Sequence, residues 1–150
     1  MRKLIIGLAL AAGCRTGAPM AAPGAQPAGN VTGAATERGA IDQFMAAVTA
    51  QDLQALGAIW GTKDGPARDQ MSGDQLQERE LIMFCYFKHD AYTIVSDAPA
   101  LNGDRTFAVV VKFGGISHTG QFQVTRGKDG RYYVLGVNNF PEFQDVCAAK

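Results

Sequence analysis

The chain reads as an α+β protein in which three helices precede an antiparallel meander, and three observations carry that expectation. Apolar residues between about residues 37 and 59 recur at helical spacing. After about residue 90 the period shortens to two, the alternation of a half-buried strand. Glycine-bearing turn sequences then divide that alternating region into short segments. Helices first and strands afterwards place the helices together on one face of a sheet.

Order is expected from Thr36 or Glu37. Ile41, Phe44, Met45 and Val48 fall at i, i+3, i+4 and i+7, which makes one apolar stripe. Asp52 is placed to cap a second helix with Leu53, Leu56 and Ile59 inward, Trp60 at its end and Gly61 as its stop. Residues 62–71 contain Gly65-Pro66 and read as a loop. Ser72 and Gln75 have capping-box spacing and start a third helix that runs to about Phe87. Its last part, Leu81 to Phe87, is apolar on nearly every side, so that end is expected to be buried.

The strands follow. Ala91–Val95 is strand-like, Asn102-Gly103 signals a hairpin, and Thr106–Phe113 is the longest candidate. Phe107, Val109, Val111 and Phe113 share one face of it, with Ala108, Val110 and Lys112 on the other. Gly114-Gly115 turns the chain into Ile116–Thr125, with Phe122 and Val124 inward. Lys128-Asp129-Gly130 turns it again into Arg131–Val137, completing a meander.

The N-terminus has a different character. Arg2 and Lys3 precede an apolar run, Leu4 to Ala12, that closes on Ala11-Ala12-Gly13-Cys14. The run is too short to span a bilayer and has the layout of a secretory signal. Ala12, Gly13 and Cys14 resemble the lipobox of bacterial lipoproteins, departing at Ala11, where leucine is usual. The resemblance implies that residues 1–13 are a signal peptide and that Cys14 becomes the lipid-modified first residue of the mature chain. The protein is then expected in the cell envelope, facing the periplasm. Arg15, where inner-membrane retention calls for aspartate, slightly favours the outer membrane.

Residues 14–36 are rich in Gly, Ala, Pro and Thr, too poor in large apolar side chains to offset ordering entropy, and read as a tether. A flexible coil of that length spans on the order of 25 Å. Residues 37–150 form the expected single domain. Lysine plus arginine and aspartate plus glutamate each number 14, so no basic footprint for nucleic acid exists.

With Cys14 lipidated, Cys85 and Cys147 remain as an even pair in an exported protein, which suits a disulfide. Such a bridge would contribute roughly 4 kcal/mol by closing a long loop. The alternative is two separate buried thiols.

Residues 41–56, Ile-Asp-Gln-Phe-Met-Ala-Ala-Val-Thr-Ala-Gln-Asp-Leu-Gln-Ala-Leu, set an amphipathic helix, a polar break and a short second helix in sequence. In this order they resemble the NTF2-like, cystatin-related superfamily, including its SnoaL-like members. The resemblance implies a curved sheet wrapped round a long helix, a cone-shaped pocket and dimerisation through the sheet. It also implies a strand pair between the helices, which residues 62–71 do not suggest.

Candidate pocket residues on this fold are Trp60, Tyr86, His89, Phe107, Val109 and Val111. The strand residues cannot exchange a proton, which disfavours catalysis. His89 beside Asp90 is better explained by a helix C-terminus, and His118 is expected near an exposed hairpin end. Only one of Tyr132 and Tyr133 can point inward. No metal-ligand spacing occurs, and neither a metal nor a cofactor is expected. The expectation is thus a lipid-anchored domain that binds a small apolar molecule or an envelope protein, with a homodimer open to it. The alternative is an enzyme of the SnoaL or ketosteroid-isomerase kind, doing acid–base chemistry in an apolar pocket. The two differ in whether Tyr86, His89, Asp90 or Glu80 opens into a deep cavity.

Overall fold

Helix α1 (Glu37–Ala50) starts where Thr36 leaves the extended conformation and its hydroxyl accepts the Gly39 N–H at 3.0 Å. This is an N-cap, which satisfies a donor the helix itself cannot. The computed structural model describes residues 32–139 and Cys147. The expected signal peptide, Cys14, most of the tether and residues 140–146 lie outside the described residues.

Gln51 closes α1 in the left-handed region, at φ 52°. Asp52 then caps helix α2 (Leu53–Ile59) as expected, accepting the Ala55 N–H at 3.0 Å. Helix α3 (Gly73–Tyr86) starts after Ser72, but the serine side chain makes no capping bond, so the expected capping box does not form.

The sheet is a four-stranded antiparallel meander of β3 (Ala91–Pro99), β4 (Arg105–Phe113), β5 (Ile116–Arg126) and β6 (Tyr132–Asn138), in that order. Phe107 pairs with Phe122, and Val111 with both Tyr92 and His118, so these side chains share the helix-facing side. β3 is longer than expected. A bulge at Val95 absorbs one residue, after which Ser96–Pro99 pair again with Arg105–Ala108. The Ser-Asp-Ala-Pro sequence resembles a turn and hides this continuation.

Three further differences are physical. The expected loop at 62–71 holds a minimal hairpin, β1 (Gly61–Thr62) against β2 (Gly65–Pro66). Gly61 does not merely stop α2, since a Cβ there would lie 2.3 Å from the Gly65 carbonyl oxygen. The late part of α3 is not buried all round. Glu80, Phe84 and, just beyond the helix, Phe87 point inward, whereas Leu81 and Ile82 are 53% and 47% exposed. A helix packed along one side buries one stripe whatever its composition.

The third difference concerns where the domain begins. The Gly33 N–H donates to Ala58 O at 2.9 Å, and Ala34 exchanges backbone bonds with Tyr132 at 2.8 and 3.0 Å. Arg131 clamps the same stretch through Thr32 O (3.1 Å) and Gly33 O (3.0 Å). The fold thus takes in residues 32–36, which the sequence assigns to the tether, and the boundary at 37 moves upstream. Ala34 and Trp60, bridged to Val134, cover the outer side of β6.

Gly33 has φ +65°, and a Cβ there would sit 2.7 Å from Arg131 Cβ, whereas Gly103 at φ +79° has open space. Gly33→Ala is therefore expected to destabilise the domain by more than about 1 kcal/mol, and by more than Gly103→Ala, in urea unfolding.

Candidate functional site

The space between the helices and the sheet is where the sequence places a pocket. Side chains from three directions meet there. Phe44 descends from α1, Phe122 rises from β5, and Phe87 enters from the end of α3. Ring centroids lie 5.3 Å apart for Phe44–Phe87, 6.0 Å for Phe44–Phe122 and 5.6 Å for Phe87–Phe122. The contacts are edge-on or tilted, as ring quadrupoles favour. Phe107, Val109 and Val111 are buried in the same cluster.

The other candidate pocket residues are dispersed. Trp60 packs at the β6 edge, where its backbone bridges Val134. His89 lies at the opposite edge, its ring 5.5 Å from that of Tyr92 on β3. Tyr86 is half-buried against the core. The structure therefore unites Phe107, Val109 and Val111 and leaves Trp60 and His89 at separate edges.

At the β3 edge a small polar cluster forms. His89 Nδ1–H donates to the Phe87 carbonyl at 2.8 Å, since a carbonyl can only accept. His89 Nε2 lies 3.2 Å from Thr49 Oγ1, whose hydroxyl also reaches Met45 O at 3.1 Å. Tyr92 donates to Asp42 Oδ1 at 2.8 Å, joining β3 to α1. Burial, then the bond to Asp42, raises the Tyr92 phenol to about 12. Asp90 is turned away from His89 and accepts the Gly114 N–H at 2.8 Å, so the two make no acid–base pair. His118, expected near an exposed hairpin end, is half-buried on the face it shares with Val111.

Buried carboxylates fall into two kinds. Asp104 accepts the Thr125 hydroxyl at 2.7 Å and has Lys63 Nζ at 3.6 Å, so its charge is partnered. Glu80 on α3 is 2% exposed, and its Oε1 has no hydrogen-bond partner among the described residues. Burial, with the Asp52 charge adding to it, raises the Glu80 carboxyl to about 7. That oxygen is sealed, since a Cβ on Gly57 would come within 2.6 Å of it. Sequence offers one signal for it, an acid at i−4 and i−7 from Phe84 and Phe87 on the apolar stripe.

Cys85 near the end of α3 is disulfide-bonded to Cys147, with Cα atoms 5.7 Å apart. Among the described residues, no group of three or more His, Cys, Asp or Glu side chains could hold a metal ion. No helix among them is long and apolar enough to cross a membrane. No family model matches the chain, and neither a curated protein nor a solved structure matches it.

Two outcomes follow from this geometry. Phe122→Ala removes a ring from the centre of the cluster and should cost about 3–5 kcal/mol in chemical denaturation. Asp42→Asn removes a negative charge from beside Tyr92, so the phenol should ionise at lower pH in an NMR titration of the tyrosine ring carbons. The Asp42–Tyr92 contribution to stability is present below the ordinary tyrosine value of 10.0 and fades as pH rises through about 12.

Proposed function

We propose that this chain is a lipid-tethered envelope domain of NTF2-like form that acts by binding an apolar small molecule or an envelope protein rather than by catalysis. One observation carries the reading. Where a catalytic relative would keep proton-transfer groups, Phe44, Phe87 and Phe122 are in mutual contact over Phe107, Val109 and Val111. No side chain in that set can give or take a proton.

Three helices on an antiparallel meander, with a hairpin between α2 and α3, support the NTF2-like assignment. The lipid tether rests on the lipobox resemblance around Cys14. An anchor of several acyl chains on one cysteine would hold the domain at a membrane with no spanning segment. A second copy is one protein partner that suits the outer sheet face, where Thr106, Ala108, Val110 and Thr119 present small side chains.

Glu80 favours the enzyme alternative, because a carboxyl poised near neutrality is what general acid–base chemistry uses. Its sealed Oε1 weighs against a substrate meeting it in this conformation.

The test is made in membranes of a bacterium expressing the full chain. Wild type should fractionate with membranes and incorporate labelled fatty acid, while Cys14→Ser should do neither. Detergent-solubilised wild type should then show a thermal shift with extracted envelope lipids or co-purify an envelope protein or a second copy. Neither a shift nor a partner would reject the binding reading, whatever the fate of Cys14.

A further inference from the structure

The contact between α2 and α3 closes on an ionisable group. Glu80 Oε1 faces the Cα of Gly57, at the point where a Cβ would lie 2.6 Å from Oε1, 3.3 Å from Leu76 Cδ2 and 3.4 Å from Arg68 Cβ. It is buried, and no described donor reaches it. Unlike Asp104, which has both Thr125 and Lys63, Glu80 Oε1 has no partner to offset its desolvation, a cost that a bound proton lowers.

The charged neighbours do not relieve it. Asp52 caps α2 and opposes ionisation of Glu80. On the 3₁₀ turn Ala67–Asp69, the Arg68 guanidinium is directed to Thr32 Oγ1 and lies 3.9 Å from Asp69 Oδ1. On α3 itself, Glu78 and Arg79 neighbour Glu80 in sequence, and Asp74 lies in the first turn. On α1 the charged residues are Glu37, Arg38 and Asp42. Glu37 pairs with Arg105 at 3.8 Å, and Asp42 holds Tyr92.

Besides Glu80, α3 is held by Phe84, by the partly buried Met83 and Tyr86, and by the disulfide at Cys85. Of its own residues only Glu80 and Phe84 are buried, with Phe87 immediately after. We propose that Glu80 is a proton-operated latch, packing α3 onto α2 when protonated and releasing it when ionised, so that Phe84 and Phe87 are uncovered. The disulfide at Cys85 keeps the released helix tied to the chain near Cys147.

The direction follows from linkage. A docked carboxyl that holds its proton up to about 7, against 4.5 for an ordinary glutamate, favours docking most below 4.5. That preference is lost as pH rises through about 7 and then levels off. The latch stands whether or not the binding reading does, because it concerns the helix and not its ligand.

Amide hydrogen exchange on the full chain tests it at about pH 5.5 and about pH 8.5, corrected for the intrinsic pH dependence of exchange. In wild type, α3 amides should lose roughly tenfold or more protection relative to those of β4 on going to the higher pH. Glu80→Gln, nearly isosteric and unable to ionise, should hold α3 protected equally at both. Gly57→Ala, which displaces Oε1, should leave α3 poorly protected even at the lower pH. Unchanged protection in wild type, an equal loss in Glu80→Gln, or full protection of α3 in Gly57→Ala would overturn the proposal.

Discussion

Phe44 is the residue on which the rest of the fold depends. It sits on the buried stripe of α1 and touches Phe122 of the sheet and Phe87 at the end of α3, so one ring joins elements from the three parts of the chain. Two of those contacts span more than forty residues. Closing such loops costs entropy that only substantial burial can offset. A phenylalanine supplies that area with few rotatable bonds. The same ring therefore holds α1 on the sheet and brings α3 alongside, within the buried cluster between helices and sheet.

Sequence carried much of this architecture, and the reasons are local. Ile41, Phe44, Met45 and Val48 all prove buried, because a 14-residue helix lying on a sheet leaves its stripe no other place to go. Phe107, Val109 and Val111 obey the two-residue period for the same reason. What was illegible depended on distant partners. Nothing in Thr32–Ala34 announces that Arg131 and Tyr132, about a hundred residues later, will pin it. Leu81 and Ile82 are as apolar as Phe84, and only the line along which α3 meets its neighbours separates them. Of the candidate site, the apolar set was legible from strand alternation. Trp60 and His89 were not separable by sequence, since which sheet edge each approaches is settled by topology.

Sheet edges show how local chemistry protects the fold. The outer side of β6 is covered by Ala34 and Trp60. β3, the other edge, carries a bulge at Val95 and ends in Pro99. A bulge twists the strand and a proline removes a donor, and both discourage another strand from adding there. Such protection fits a chain whose contacts with partners, if made, run through faces or apolar side chains rather than through an open strand edge.

Asp104 and Glu80 make the closing contrast. Both are buried acids, yet Asp104 has a hydroxyl at 2.7 Å and an ammonium at 3.6 Å, while Glu80 Oε1 has neither. A leucine or methionine at 80 would continue the Phe84–Phe87 stripe and pack against Gly57 without any penalty for charge. Glu80 thus lowers the stability of the α2–α3 contact near neutral pH relative to an apolar side chain. Gly57 compounds this, since glycine in the middle of α2 sacrifices helix propensity of about 1 kcal/mol to leave room for that carboxyl oxygen. Two local costs that meet at one contact are hard to assign to packing, because packing alone would favour replacing both. They are consistent with a contact whose strength is set by a proton rather than by apolar area.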